Sequence, residues 1–372
     1  MVVARHRGTK ITVDLGAIKA NIRTVLHTLP ADQKLFAVVK ANAYGHGLVP
    51  VAYAAKEAGA AGFCVAVIDE GVALREAGLN EPILILGVNP VTEAPYIAAN
   101  DLSVAVGSLE FLQEALPLLA EQGLRLNVHL ALDTGMGRIG FRQPEAVRQA
   151  EEFMRAHAEQ FRFEGVFTHF ATADMVDTTY FNHQKQAFYK LVGALDELPP
   201  YVHVTNSAAS LWHQQTAGNM IRFGIAMYGL NPSGREMAPT YALRPALSLT
   251  SEVVHVKKIT AGDSVGYGKT YTAGQDEWIG TVPMGYADGW LRRLQGFKVL
   301  VDGEECEIVG RVCMDQFMIR LPHAVKLGTK VTLIGRDGDA QITAQDVADY
   351  VGTIHYEILC GLSHRVPRVY RD

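Results

Sequence analysis

The chain has few cysteines, no long hydrophobic run and no excess of positive charge, and each shortage excludes a class of protein. Its four cysteines, Cys64, Cys306, Cys313 and Cys360, lie far apart and form no CxxC pair. That pattern excludes a disulfide frame and a zinc ribbon, and fits reduced thiols in a cytoplasmic protein. No stretch of about 20 apolar residues is present, so no membrane partner is expected. The opening MVVARHRGTK is basic but has no apolar segment behind it, so no secretory signal is expected. Lys and Arg number 34 against 39 Asp and Glu, a net charge of -5, which argues against a surface for nucleic acid. Low-complexity segments are missing too. No metal site is expected: GRDGDA (335–340) could be misread as a metal loop, but reads as a hairpin turn.

What is present is a repeating unit. A short strand, ITVDL, leads into a helical pattern with Ile18, Ile22, Val25, Leu26 and Leu29 on one face and Asp14 as its cap. Then come eight short apolar runs: LFAVVK, GFCVAV, PILILGV, LSVAV, LNVHLALD, FEGVFTHF, YVHVTN and MIRFGIAMYG. Most are followed by helical stretches such as SLEFLQEALPLLAEQG. Near-continuous apolar strands are buried on both faces, as in a parallel sheet. Eight β/α units predict a closed (β/α)8 TIM barrel over 1–240, with a doubly wound open sheet as the second reading.

From Tyr241 the texture changes to strands without intervening helices, separated by glycine-rich turns. This predicts a mainly antiparallel β domain over 241–372 with a helical tail capped by Thr343. The first strand, about 11–15, is expected to associate with this β domain.

The run AVVKANAYGHG (37–47) poses the chemical question, because Lys40 closes a buried strand. Catalytic groups of such barrels sit at the C-terminal strand ends. A half-buried lysine there can be neutral and nucleophilic, or can simply snorkel to solvent.

This segment resembles the pyridoxal-phosphate lysine segment of the alanine racemases. The resemblance runs almost end to end, through LDTGMGRIGF (132–141), THFATAD (168–174), TNSAAS (205–210), RFGIAMYG (222–229), VGYGKTY (265–271), MGYADG (284–289), GRVCMDQ (310–316) and YEILCGLSHRVPRVY (356–370). It implies a barrel plus a β domain, pyridoxal 5'-phosphate as cofactor, an amino-acid substrate, and a head-to-tail homodimer with active sites at the interface. It also implies two-base interconversion of L- and D-alanine, supplying D-alanine for peptidoglycan.

By that resemblance Lys40 is the amine that joins the cofactor aldehyde and also the base on one face of the substrate. Tyr267 is the base on the other face, since racemisation needs a proton group on each side. A free tyrosine is a poor base at neutral pH and needs a cationic neighbour. The resemblance makes His169 the link between Tyr267 and Arg222, the arginine facing the pyridine nitrogen. Because a guanidinium keeps its proton, that nitrogen stays largely unprotonated and transamination is suppressed. Tyr44, Ser207 and Tyr356 match the phosphate hydroxyls, and Gly224 and Ile225 the phosphate N–H donors. Arg138 and the backbone of Met314 would hold the substrate carboxylate. Tyr286, Arg292 and Asp315 match entrance and supporting residues.

Three features qualify this reading. GMGRIG (135–140) matches G-x-G-x-x-G and supports a nucleotide-dependent oxidoreductase, but the next helix is expected to begin at Pro144, outside the motif. Racemases of serine, lysine or many amino acids share the fold, as would a noncatalytic pyridoxal-phosphate carrier; the motifs of the related decarboxylases are missing from the C-terminal half. Finally, many relatives carry a carbamylated lysine where this chain has Ala131. An anion such as chloride, or water, beside Arg138 is expected to do that carbamate's positioning job. Activity should then respond to halide and change in the Ala131→Lys variant; indifference to both would end the idea.

Overall fold

A computed structural model describes residues 2–213 and 218–372. Two compact units emerge: Gly16–Ala43 with Leu48–Pro245, and Met1–Leu15 with Tyr44–Gly47 and Ala246–Asp372.

The first unit is the barrel. Its strands are β2 (Lys34–Val38), β3 (Gly62–Val65), β4 (Ile83–Ile85), β5 (Ser103–Val106), β6 (Leu126–Ala131), β7 (Phe161–Phe167), β8 (Tyr201–His203) and β9 (Met220–Phe223), after β1 (Lys10–Asp14) in the other unit. They pair in parallel in the order β8-β7-β6-β5-β4-β3-β2-β9. A parallel bridge between Thr205 and Ile221 closes the ring, with Arg222 N–H donating to Thr205 O at 2.9 Å. All eight runs picked out from the sequence form strands, so the closed barrel holds and the open sheet does not.

In the second unit β1 lies inside a sheet, antiparallel to β10 (Leu247–Glu252) and parallel to the C-terminal strand Arg368–Arg371. Strand Lys330–Asp337 flanks β10 and turns at Gly338 (φ 59°) into Ala340–Ile342, so GRDGDA is a hairpin. A second antiparallel sheet joins His255–Ile259, Glu277–Val282 and Phe317–Leu321. Thr343 caps the helix Ala344–Val351 through a reciprocal box with Asp346.

The division falls at Pro245/Ala246 rather than at 240/241. Asn21 explains the difference. This buried residue of helix Leu15–Leu26 donates to Met227 O (3.0 Å) and Arg244 O (2.9 Å) and accepts from Arg244 N–H (2.9 Å). It thereby ties the barrel's exit segment to the turn that follows β9. Asn21→Leu would strand the buried Met227 carbonyl and two part-buried groups of Arg244, and should lower unfolding free energy by about 1–3 kcal/mol in urea titration without changing the denaturant slope.

Candidate active site

The chemistry-bearing residues of the barrel unit sit at or beyond the C-terminal ends of its strands. Lys40 follows β2 by two residues and opens an unusual turn. Ala41, Asn42, Ala43 and Tyr44 all have φ between 50° and 53°, the left-handed region that non-glycine residues avoid. Such strain persists only where surroundings over-determine it. Here Glu70 accepts from Ala41 N–H (2.6 Å) and Ala66 N–H (2.9 Å), Asn42 Oδ1 accepts from Leu48 N–H (2.8 Å), and Ala43 N–H returns to Val39 O (2.7 Å). The lysine is therefore aimed by a clamped backbone. Burial lowers its pKa most, the Arg138 and Arg222 cations lower it further, and the Glu70 carboxylate opposes them. The amine is thus held below the usual range of a lysine.

Arg222, on β9, is 3% exposed. Its Nη1 donates to His203 Nδ1 (2.7 Å) and His203 O (2.9 Å), its Nη2 to Thr168 O (2.8 Å) and, at 3.5 Å, to His169 Nδ1. Burial lowers the guanidinium to about 10, so it remains protonated at neutral pH. His169 is driven down to about 3 by burial and by the Arg222, Arg138 and Lys40 charges. It is neutral, and with Nδ1 accepting from Arg222 its proton is on Nε2, free to be donated onward.

The loop after β6 presents Arg138. Asp133 Oδ1 accepts from Gly135 N–H (3.1 Å) and Gly137 N–H (2.9 Å), and Gly135, Gly137 and Gly140 all have positive φ. The G-x-G-x-x-G match is thus a folded loop, and the following helix starts at Pro144. Arg138 is exposed and pairs with no described residue. Ala131 is buried in an apolar cluster with Ala105 and Phe167, flanked by Leu86 and Ile139.

After β8, Ser207 Oγ accepts from Gly224 N–H (2.8 Å) and Ala226 N–H (3.4 Å), which draws the Ser207–Trp212 turn onto the short helical turn Ile225–Tyr228. A hydroxyl and first-turn N–H groups converge there, a donor set suited to a phosphate.

The second unit holds the rest. Tyr44 and Tyr356 face each other, ring centroids 6.1 Å apart. Tyr267 stands in a tight turn between Gly266 (φ 75°) and Gly268 (φ 72°) and is exposed. The Tyr286 turn is stitched to the Met314 loop: Tyr286 N–H donates to Cys313 O and Ala287 N–H to Met314 O, both at 3.0 Å. Beneath Tyr286, the buried Asp288 is gripped by Arg7 and accepts from Gly285 N–H at 3.0 Å. Asp315 pairs with Arg365 at 2.6 Å, and the charge of Arg292 acts on the Cys313 thiol.

Family models for the N-terminal and C-terminal domains of alanine racemase match residues 13–232 and 246–370. The chain belongs to the alanine racemase family. It is 63% identical to an alanine racemase of Ligilactobacillus salivarius, covering 100% of both chains. It superposes on the alanine racemase of E. faecalis with a TM-score of 0.98 at 56% identity, covering 100% of both. A histidine racemase of Leuconostoc mesenteroides is also similar, with a TM-score of 0.94 at 35% identity over 100% of both chains. As a member of this family the chain is a pyridoxal-phosphate-dependent isomerase. Its residues fit that cofactor: a depressed lysine amine for the aldehyde, cations for its negative groups, and hydroxyl and N–H donors for its phosphate.

Sequence reasoning missed Glu70, which holds the turn after Lys40, and Thr168 and His203, which hold Arg222; such contacts are invisible along a single chain. The buried histidines also set a pH response. Unfolded histidines take up protons near pH 6.5, whereas His169 (about 3), His355 (about 4), His129 and His203 resist protonation in the fold. Below about pH 6.5 the unfolded chain therefore binds more protons, and stability is lost as pH falls. The urea midpoint should drop from pH 7 to pH 5, and drop less in His169→Gln.

Proposed function

We propose that this chain interconverts L- and D-alanine, with Lys40 and Tyr267 as the two proton-transfer groups, and that its D-alanine supplies peptidoglycan in the cytoplasm. The observation that carries the reading is Lys40, an amine held below its usual pKa beside a guanidinium that keeps its protons. The cofactor would be held by Lys40, Tyr44, Ser207, Gly224, Ile225 and Tyr356, with Arg222 toward its ring nitrogen. When bound, pyridoxal 5'-phosphate supplies an electron-withdrawing system that stabilises negative charge at the substrate α-carbon.

The chain's own residues do the rest. Lys40 Nζ takes or returns the α-proton on one face, which its lowered pKa favours. Tyr267 Oη serves the opposite face. His169, donating from Nε2, orients that tyrosine and passes on the field of Arg222. Arg222 donates a hydrogen bond without giving up a proton, which favours return of the proton to the α-carbon over transamination. Arg138 and Met314 N–H bind the carboxylate, and Tyr286, set by Asp288 and backed by Arg292 and Asp315, narrows the approach. The side chains packed around Ala131 are apolar, so a chloride there would draw its charge compensation from Arg138.

Tyr267 is 67% exposed and Met314 54% exposed in the single chain, which supports a site completed by a second copy in a two-fold homodimer. The test is proton NMR of the cofactor-loaded protein with L-alanine in D2O, followed by chiral analysis. Loss of the α-proton signal with appearance of D-alanine is expected; persistence with alanine but loss with another amino acid would reassign the substrate, and persistence with all would leave a carrier. In the same assay Lys40→Ala and Tyr267→Ala should each be inactive, and refolded together should regain about a quarter of the activity, one intact site in half the dimers. No recovery would sink the shared site.

A further inference from the structure

The interior of a (β/α)8 barrel is ordinarily filled by branched apolar side chains. Here a polar file crosses it, drawn from five successive strands, β5 to β9. Ser103 donates to Glu164 Oε2, and His129 Nε2 lies 3.1 Å from the same oxygen. His129 Nδ1 lies 2.8 Å from His203 Nε2, and His203 Nδ1 2.7 Å from Arg222 Nη1.

The two ends dictate the direction of every bond. A guanidinium only donates and an ionised carboxylate only accepts. Arg222 therefore donates to His203 Nδ1, His203 donates from Nε2 to His129 Nδ1, and His129 donates from Nε2 to Glu164. Both imidazoles are neutral, each with its proton on Nε2.

The backbone is built for this file. Val128 pairs with Phe163 and His129 with Gly165, so Glu164 is the extra residue of a bulge in β7. Bulges re-aim side chains, and this one leaves Glu164 buried in the barrel. A Cβ on Gly165 would lie 2.2 Å from His129 Nδ1, so only glycine leaves room for that ring. Phe167 stacks on His203 at 4.9 Å and 7°, and Tyr201 on His129 at 5.8 Å and 18°.

The file answers a charge problem. Among the described residues no carboxylate touches Arg222. Cys64, the other acidic group close enough to act on it, is buried and its thiol is pushed up to about 12, so it stays neutral. Glu164, though burial pushes it up, is brought below its usual range by the bonds from His129 and Ser103, and is ionised. Its other oxygen faces the exposed Arg162 at 3.9 Å.

We propose that Glu164, His129 and His203 form a relayed ion pair with Arg222, supplying its buried counter-charge and fixing the plane of the guanidinium. They are positioning residues for the reaction, acting through Arg222, and the proposal rests on the reading of Arg222 as the group facing the cofactor ring.

The test begins with 15N-histidine-labelled, cofactor-loaded full-length protein, the two rings assigned by loss of signal in His129→Gln and His203→Gln. Long-range 15N–1H spectra should show both rings neutral with the proton on Nε2. A proton on Nδ1 in either, or an imidazolium, would overturn the relay. Glu164→Gln keeps the shape and removes the charge. It should lower kcat roughly tenfold to a hundredfold, the worth of a charge-assisted hydrogen bond, with KM for alanine within about threefold. Unchanged kcat would equally overturn it. If that variant fails to fold, the tautomers of the unsubstituted protein still decide. They need no turnover, so failure of the chain to racemise alanine would sink the functional reading alone.

Discussion

A guanidinium buried at the mouth of a barrel is the constraint around which the first unit is arranged. Burying an uncompensated charge is prohibitive, and burying one with its donors unmet is little better. Arg222 meets the second demand locally, with His203, His169 and two backbone carbonyls, and the first only at a distance. The demand is visible in how the barrel is divided. Strands β2 to β4 bury apolar side chains and one neutral thiol, whereas β5 to β9 supply a serine, two histidines, a glutamate and the arginine itself. Three strands bury an ordinary core and the other five also carry a hydrogen-bonded file, which is tolerable because each member is satisfied by the next.

The same charge organises the mouth. With Arg222 and Arg138 close by, a histidine there stays neutral and a lysine loses its grip on its proton. Neutral His169 can then donate but not serve as an acid, and Lys40 is the proposed nucleophile and base rather than a surface cation. The left-handed turn of Ala41–Tyr44 belongs to this economy of position. It costs roughly 1–2 kcal/mol per residue, and Glu70, Asn42 and the Val39 carbonyl keep it from relaxing. A lysine on a relaxed loop would sample solvent, where its pKa returns to the usual range.

Features that depend on local pattern were legible in the sequence. The eight apolar runs, the Pro144 helix start, the Thr343 cap and the hairpin at Gly338 each follow from a few neighbouring residues. Features that depend on a second strand were not. Glu164 sits in FEGVF, where strict alternation says nothing of a bulge; the only hint is Gly165, a glycine inside a strand, which often marks a bulge or a close approach. His129 reads as a satisfied core histidine, and it is one, but what satisfies it comes from β7 and β8. The tie from Asn21 to Arg244 was hidden for the same reason, since it joins residues far apart along the chain. The resemblance supplied what pattern could not, marking Lys40, Arg222 and His169 as residues of one site.

The two units solve opposite problems of placement. In the barrel, groups that must not move are buried and cross-bonded: Arg222 makes four contacts and Ser207 two. In the β unit, Tyr267 is held only at its base, by a turn whose glycines take positive φ and pack on Arg311, while its ring stands in the open. A phenol fixed at the backbone and bare at its tip is suited to a site that another surface completes. An orienting partner for it would have to be a rigid donor, and His169, neutral beside Arg222, has that character. On the proposed reading, the proton chemistry at Tyr267 would depend on the charge of Arg222, and that charge on a glutamate buried in the barrel.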